Sequence, residues 1–181
     1  MPQHLPSRLM LTAFLPALLA LALPVAGCTL RREARPPPSP YCRGGDPLAG
    51  VYHPARLELK SACRVATGTV ASVKFEEFDG DVHVDLRLDE ADRGLLAPGN
   101  DRVGGELVVE ILPQDRSRVP VPTVGQRISV VGPWVEDHQH GWREIHPAWW
   151  ISAGRIVPAT PSELARAREL LASRTAVDDP G

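Results

Sequence analysis

Asp137, His138, His140, Glu144 and His146 crowd three imidazoles and two carboxylates into one short stretch of chain. Neutral imidazole nitrogens and carboxylate oxygens are ligands for zinc and similar ions, and His140, Glu144 and His146 with Asp137 or His138 would make up a donor set for a divalent metal. The same residue types serve general acid–base work. In an extended strand Glu144 and His146 must share a face, about 7 Å apart along the chain. Whether His138 or His140 joins them depends on the register of the preceding hairpin, because a slip of one residue sends a side chain to the opposite face. No H-x-x-x-H or C-x-x-C spacing accompanies the cluster. A second reading therefore stands beside the metal: His138 and His140 as solvated turn residues, Glu144 paired with Arg143 or Arg127, and His146 bonded to a backbone group before Pro147.

All four tryptophans lie in the same region, at 134, 142, 149 and 150. The spacing makes Trp134 and Trp149 core residues and puts Trp142 and Trp150 on the face of Glu144 and His146. An exposed pair there suits stacking on a sugar, peptide or partner. Cover by the segment around Cys42 or by a C-terminal helix is the other outcome.

These residues need a frame, and the pattern from Cys63 onward predicts one made of strands. Val65, Thr67, Thr69, Ala71, Val73 and Phe75 alternate with smaller or polar residues, with Gly68 marking a bend. Asp79-Gly80 supplies the hairpin turn. Val82, Val84, Leu86 and Leu88 then alternate with His83, Asp85, Arg87 and Asp89, a half-buried strand with a polar outer face. Leu107, Val109 and Ile111 define a third strand, and Ile128, Val130 and Trp134 a fourth in which Gly132 marks a close approach. After the turn at 137–141, a fifth strand carries Ile145, Pro147, Trp149 and Ile151 on one parity. The prolines of 113–125 forbid a regular helix there. Thr160-Pro161-Ser162-Glu163 has the form of a capping box, opening a helix with Leu164, Ala167 and Leu171 on one face and ending near Ser173.

Composition excludes several classes. The chain of 181 residues has 20 Lys plus Arg against 22 Asp plus Glu, 43% hydrophobic residues and 3 Cys, which rules out a disordered polymer, a polytopic membrane protein and a disulfide-dense scaffold. A net charge of −2 gives no footprint for a phosphate backbone. Nucleic acid is further excluded by the acids Glu76, Glu77, Asp79, Asp81, Asp85, Asp89, Glu106, Glu110, Glu136 and Asp137, which stand where a binding groove would need Lys, Arg and stacking aromatics. No nucleophile elbow or phosphate-cradling glycine loop is present, which weakens an enzyme reading.

At the N-terminus, residues 9–23 form an apolar run behind Arg8, too short to span a bilayer and right for a signal-peptide core. The run ends in Val25-Ala26-Gly27-Cys28, which resembles the bacterial lipobox. That resemblance implies removal of residues 1–27, lipidation of Cys28 and a tether over 28–41, with arginines and then prolines as an extended spacer. Two fatty chains suffice for stable anchoring, so the implied partner is a membrane. Thr29 stands where Asp retains Gram-negative lipoproteins in the inner membrane, which points outward, to a cell-envelope location outside the cytoplasm. In such an oxidising compartment the two remaining cysteines, Cys42 and Cys63, are expected to pair.

Residues 42–158 then make the domain, and 159–181 a helix and tail. Five short strands predict a mainly β fold, a small antiparallel barrel with one C-terminal helix. Residues 65–70 and 124–132 resemble strands one and four of an OB-fold, in which a glycine bends the first and a Gly-x-x-hydrophobic-x-hydrophobic-x-Gly run opens the fourth. A Pro-rich loop replaces that fold's usual helix between strands three and four. The segment His140-Gly141-Trp142-Arg143-Glu144-Ile145-His146-Pro147 resembles one in uncharacterised exported bacterial OB-like proteins, a resemblance that implies no activity. The function expected is a membrane-anchored envelope module binding a small ligand or an envelope protein. The alternative is a metal-dependent hydrolase using His140, Glu144 and His146.

Overall fold

The computed structural model describes residues 39–177. The expected signal peptide, the expected lipidation site Cys28 and most of the expected tether lie outside them. Six strands form one sheet: β1 Leu57–Phe75, β2 Val82–Leu88, β3 Leu107–Ile111, β4 Arg127–Asp137, β5 Trp142–Ile145 and β6 Trp150–Ile151, followed by α1 Pro161–Val177. The first five bond in the order β1-β2-β3-β5-β4, and a β1–β4 pairing closes them into a ring. Every pairing is antiparallel except β3 with β5. The domain is therefore mainly β and OB-like, with one C-terminal helix.

Period-two alternation fills the ring. Val82, Val84, Leu86 and Leu88 face Leu107, Val109, Ile111, Ile128, Val130 and Ile145, all buried in one cluster. Burying each such side chain contributes about 1.5–3 kcal/mol.

The long first strand departs from its expected parity. Ala66 and Val70 point inward while Val65 is 42% exposed, and a register shift between Val70 and Ser72 then turns Val73 toward the core. The interior beside Gly68 explains the choice of small residues, since a Cβ there would lie 2.3 Å from the Arg87 carbonyl oxygen. β1 also starts six positions before Cys63, because Leu57 already pairs with Asp137 at the far end of β4.

The single fifth strand expected over 142–151 is two. β5 ends at Ile145, the His146–Pro147 peptide is cis, and the chain returns to β4 as β6, opposite Val130 and Val131. Gly132 permits this, because a Cβ at that position would sit 2.3 Å from the Pro147 carbonyl oxygen.

Between β3 and β4 the chain makes one short 3-10 turn, Pro113–Asp115, and no α-helix. The capping box forms as expected: the Glu163 carboxylate accepts from the Thr160 amide at 2.6 Å, and the Glu163 amide donates to the Thr160 hydroxyl at 3.2 Å. α1 runs on to Val177 rather than stopping near Ser173, and it buries Ala167 and Leu170.

Before β1, residues 39–56 cross the outside of the sheet. Cys42 and Cys63, 21 positions apart, form a disulfide with 5.8 Å between their Cα atoms. On the chain-entropy model, closing a loop of that length stabilises the fold by about 3 kcal/mol. The Cys42→Ser, Cys63→Ser variant is expected to lose that amount in urea unfolding, and a loss under about 1 kcal/mol would show that the bridge constrains little.

Candidate functional site

Three neighbouring strands put their polar parity on one outer face. His83 is the register partner of Glu110 across β2 and β3, while Val108, two places from Glu110, is the partner of Glu144 across β3 and β5. Because side chains repeat every two residues, Glu110 and Glu144 must share that face. Asp85 follows His83 along β2, and Asp81 precedes it from the hairpin.

The side chains join into two pairs of links. His83 Nδ1 lies 2.8 Å from Glu110 Oε1 and its Nε2 2.9 Å from Asp85 Oδ1, so both ring nitrogens face carboxylate oxygens. The Ser72 hydroxyl also bonds Asp85. His146 Nδ1 lies 3.0 Å from Glu144 Oε1, and the other Glu144 oxygen accepts the Trp142 indole N–H at 2.9 Å. His146 Nε2 stands 3.6 Å from Asp81 Oδ2, beyond hydrogen-bond reach. Asp81, His83, Glu110, Glu144 and His146 are all buried.

Such burial needs charge balance. For His83, burial works hardest, against its charge, but the bonds to Asp85 and Glu110 together outweigh it and raise its pKa to about 10. His146 follows the same pattern: burial opposes the proton, the Glu144 bond and the surrounding carboxylates hold it, and the pKa is raised to about 9. Burial pushes the Asp81 and Glu110 carboxyls upward, while Asp85, in spite of its own burial, is held low by the His83 and Ser72 bonds. The two histidines thus bring positive charge among these carboxylates, and burial makes Asp81 and Glu110 hold their protons more tightly than surface acids do.

The residues singled out from the sequence fall into three groups. Asp137, fully buried, caps the β4–β5 turn: one oxygen accepts from the Gln139 and His140 amides at 2.8 and 3.1 Å, and the other meets His140 Nδ1 at 2.7 Å. The hydrogen bonds to His140 and the Arg56 charge outweigh burial and hold its pKa down. His138 turns away to Glu58, at 3.3 Å on the surface. Glu144 and His146 belong to the buried chain. The expected pairing of Glu144 with Arg143 or Arg127 is replaced by the Trp142 and His146 bonds, while Arg143 bonds Glu136 at 3.1 Å and Arg127 bonds Asp89. Among the described residues no three His, Cys, Asp or Glu side chains are arranged to hold a metal ion.

Trp142 and Trp150 do not make one stacking surface. His140 stacks on Trp142, ring centroids 4.4 Å apart, at the β4–β5 end. Tyr41, from the Cys42 segment, stacks on Trp150 at 4.1 Å and covers it.

Asn100, which no local pattern marks, braces the β4–β5 turn. The Asn100 amide donates to the Glu106 and Arg143 carbonyls at 2.8 and 2.9 Å, and its oxygen accepts from the Ala97 and Arg143 amides. His83 and Glu110 were also missed as site residues. The alternation of Asp81, His83 and Asp85 was visible, but pairing them with Glu110 requires the register of β2 against β3.

Both His83 ring nitrogens are committed to carboxylates, Glu110 and Asp85, so neither is free to act as a base. The fold and face together define an OB-like domain with a buried acid–imidazole chain on the side of β2 and β3, where such folds bind ligands. Comparison with known proteins finds no matching family model and no matching curated protein.

Proposed function

We propose that the chain is a lipid-anchored cell-envelope protein whose OB-like domain is a binding module, working through the outer face of β2, β3 and β5. The observation that carries the reading is the commitment of both His83 ring nitrogens to carboxylates on the face framed by the two hairpin loops. A sheet face serving stability alone is more economically covered by apolar side chains, since a buried ion pair is neutral or unfavourable beside a hydrophobic replacement. Two features support the envelope location: the order Val25-Ala26-Gly27-Cys28 after an apolar core, and the Cys42–Cys63 disulfide, a bond favoured outside the cytoplasm. The metal-dependent hydrolase loses its ground, because His140 binds Asp137 while Glu144 and His146 bind each other.

The test places a photo-crosslinking residue at His140, beside Trp142, and separately at Val65, exposed on β1. Native envelopes are irradiated in both cases, and Cys28→Ala is compared for palmitate incorporation. Adducts of defined mass from position 140 alone, with label lost in Cys28→Ala, are the expected result. Equal or absent adducts at both positions contradict a binding face, and label retained in Cys28→Ala contradicts the anchor.

A further inference from the structure

β1 is bonded on both sides along much of its length, but not at its end. The Asp89 amide donates to the Thr67 carbonyl and the Glu76 amide to the Asp81 carbonyl. Before the register shift, therefore, the odd positions of β1 aim their backbone groups at β2, and after it the even positions do. Val70, just before the shift, is bonded on the far side: its amide donates to the Gln126 carbonyl at 2.9 Å and its carbonyl accepts from the Gly125 amide at 2.8 Å. Val73 and Phe75 aim at that same far side, and among the described residues nothing there bonds their N–H or C=O groups. The chain turns at Gly125, where φ is +83°, and Val121 pairs with Arg155 instead of with β1.

The divergence opens a groove of about 300 Å³ between the end of β1 and residues 121–124, at the lower end of the size range of ligand sites. Its walls are largely apolar, with Val73, Phe75, Val121, Val124 and Val157, and Arg155 is the one charge among its described lining residues. Phe75 and Val124 are 49% and 65% exposed. The Arg116 guanidinium stands 4.9 Å from the centre of the Phe75 ring, which holds the ring in place while half of the residue stays open. Arg155 is exposed and has no ion pair among the described residues. Exposed strand edges are commonly guarded by proline or lysine. Residues 72–75 hold no proline, and their lysine, Lys74, lies on the other parity, where its charge acts on Asp85.

We propose that this edge of β1 takes up an extended peptide from a partner protein as an added strand, with an apolar side chain in the groove against Phe75 and Val124 and an acidic side chain meeting Arg155. The backbone argues for a peptide, because donors and acceptors repeating at strand spacing are matched by another main chain, with side-chain pockets giving the selectivity. The unpaired Arg155 argues for the acid. A second copy of this chain fits less well, since an edge with two outward-facing residues is too short to bury the roughly 1,600 Å² of a stable interface. Val73 and Phe75 belong to the inner parity of β1, apart from the outer face of β2, β3 and β5, so the proposal goes beyond the binding-module reading and stands without it.

Fluorescence anisotropy with the full-length chain tests it. The probes are an arrayed panel of acetylated hexapeptides in which Thr alternates with Val or Phe and one Thr is replaced by Glu or, as control, by Lys. At least one Glu-bearing peptide is expected to bind, and to slow hydrogen exchange at the Val73 and Phe75 amides while leaving the β3 amides unchanged. Val73→Pro removes an outward N–H that β2 does not use, and is expected to weaken every bound peptide roughly tenfold. Arg155→Glu, an exposed change that keeps the test open if Val73→Pro fails to fold, is expected to weaken Glu-bearing peptides roughly fivefold and to turn the preference toward Lys. No binding by any peptide overturns the proposal, as does binding that neither variant alters. Equal binding of Glu and Lys peptides overturns the acidic partner. A concentration-dependent dimer that Val73→Pro abolishes, without peptide binding, overturns the peptide and assigns the edge to a second copy.

Discussion

Glu144→Leu lowers the unfolding free energy by about 3–5 kcal/mol, the loss expected when one partner of a buried charge pair is removed. Glu144 is 1% exposed and accepts both the Trp142 indole N–H and the His146 Nδ1–H. Its removal takes the hydrogen-bonded partner from a cationic imidazole in a dry site, leaving only Asp81 at 3.6 Å, and strands an indole donor with no acceptor. The double variant Glu144→Leu, His146→Leu is expected to recover much of that loss, because replacing both partners with apolar groups removes the uncompensated charge. Urea unfolding of the wild type, both single variants and the double variant measures the coupling. Additive losses would mean that the two side chains act independently.

Stability falls as pH rises from about 6.5 toward 9 or 10. Both histidines hold their protons more tightly in the folded chain than in the unfolded one, with pKa raised to about 10 for His83 and about 9 for His146. Their contribution is complete below the unfolded value of 6.5 and is lost as pH climbs through the folded values. In that interval the native state binds more protons, so each histidine removes up to about 1.4 kcal/mol of stability per pH unit. Asp81 and Glu110, raised by burial, act in the same direction at lower pH. On the acid side the sign reverses for Glu163, whose bonds to the Thr160 backbone and Arg116 lower its pKa to about 2. Its contribution is present above 4.5 and disappears as pH falls through about 2. The optimum therefore lies on the acid side of neutrality. Chemical denaturation across this range checks it, and His83→Gln is expected to flatten the alkaline limb. A wild-type midpoint constant from pH 6.5 to 9 would contradict the charged-histidine account.

Much of the frame was legible because alternation reports burial directly. Val82 to Leu88 and Leu107 to Ile111 are strands with the predicted inner faces, and the capping box opens a helix where Thr160 and Glu163 place it. Gly132 and Gly68 signal close approaches whose partners, Pro147 and Arg87, are distant in sequence. Where alternation misled, an irregularity had reset it. The shift after Val70 puts Val73 on the core side although Val65, eight places earlier, faces outward, and the break at His146–Pro147 splits the last strand in two.

The site was half legible. Glu144 and His146 share a face, as a period of two requires, but their neighbours come from β2, β3 and the first hairpin instead of the local turn. Asp137 and His140 form their own pair because the tight turn at Gly141 places His140 over the Asp137 oxygens. Asn100 was hidden for a similar reason: its four bonds go to three separate segments, and no local pattern announces them.

The most direct test of the central claim, that β2, β3 and β5 carry a buried charged acid–imidazole chain on their outer face, is the imidazole nitrogen resonances of the full-length chain at neutral pH. The account predicts that His83 and His146 are both doubly protonated, with His83 bonded through each nitrogen and titrating only toward pH 10. Neutral rings that titrate near 6.5, each with one bare nitrogen, would contradict it.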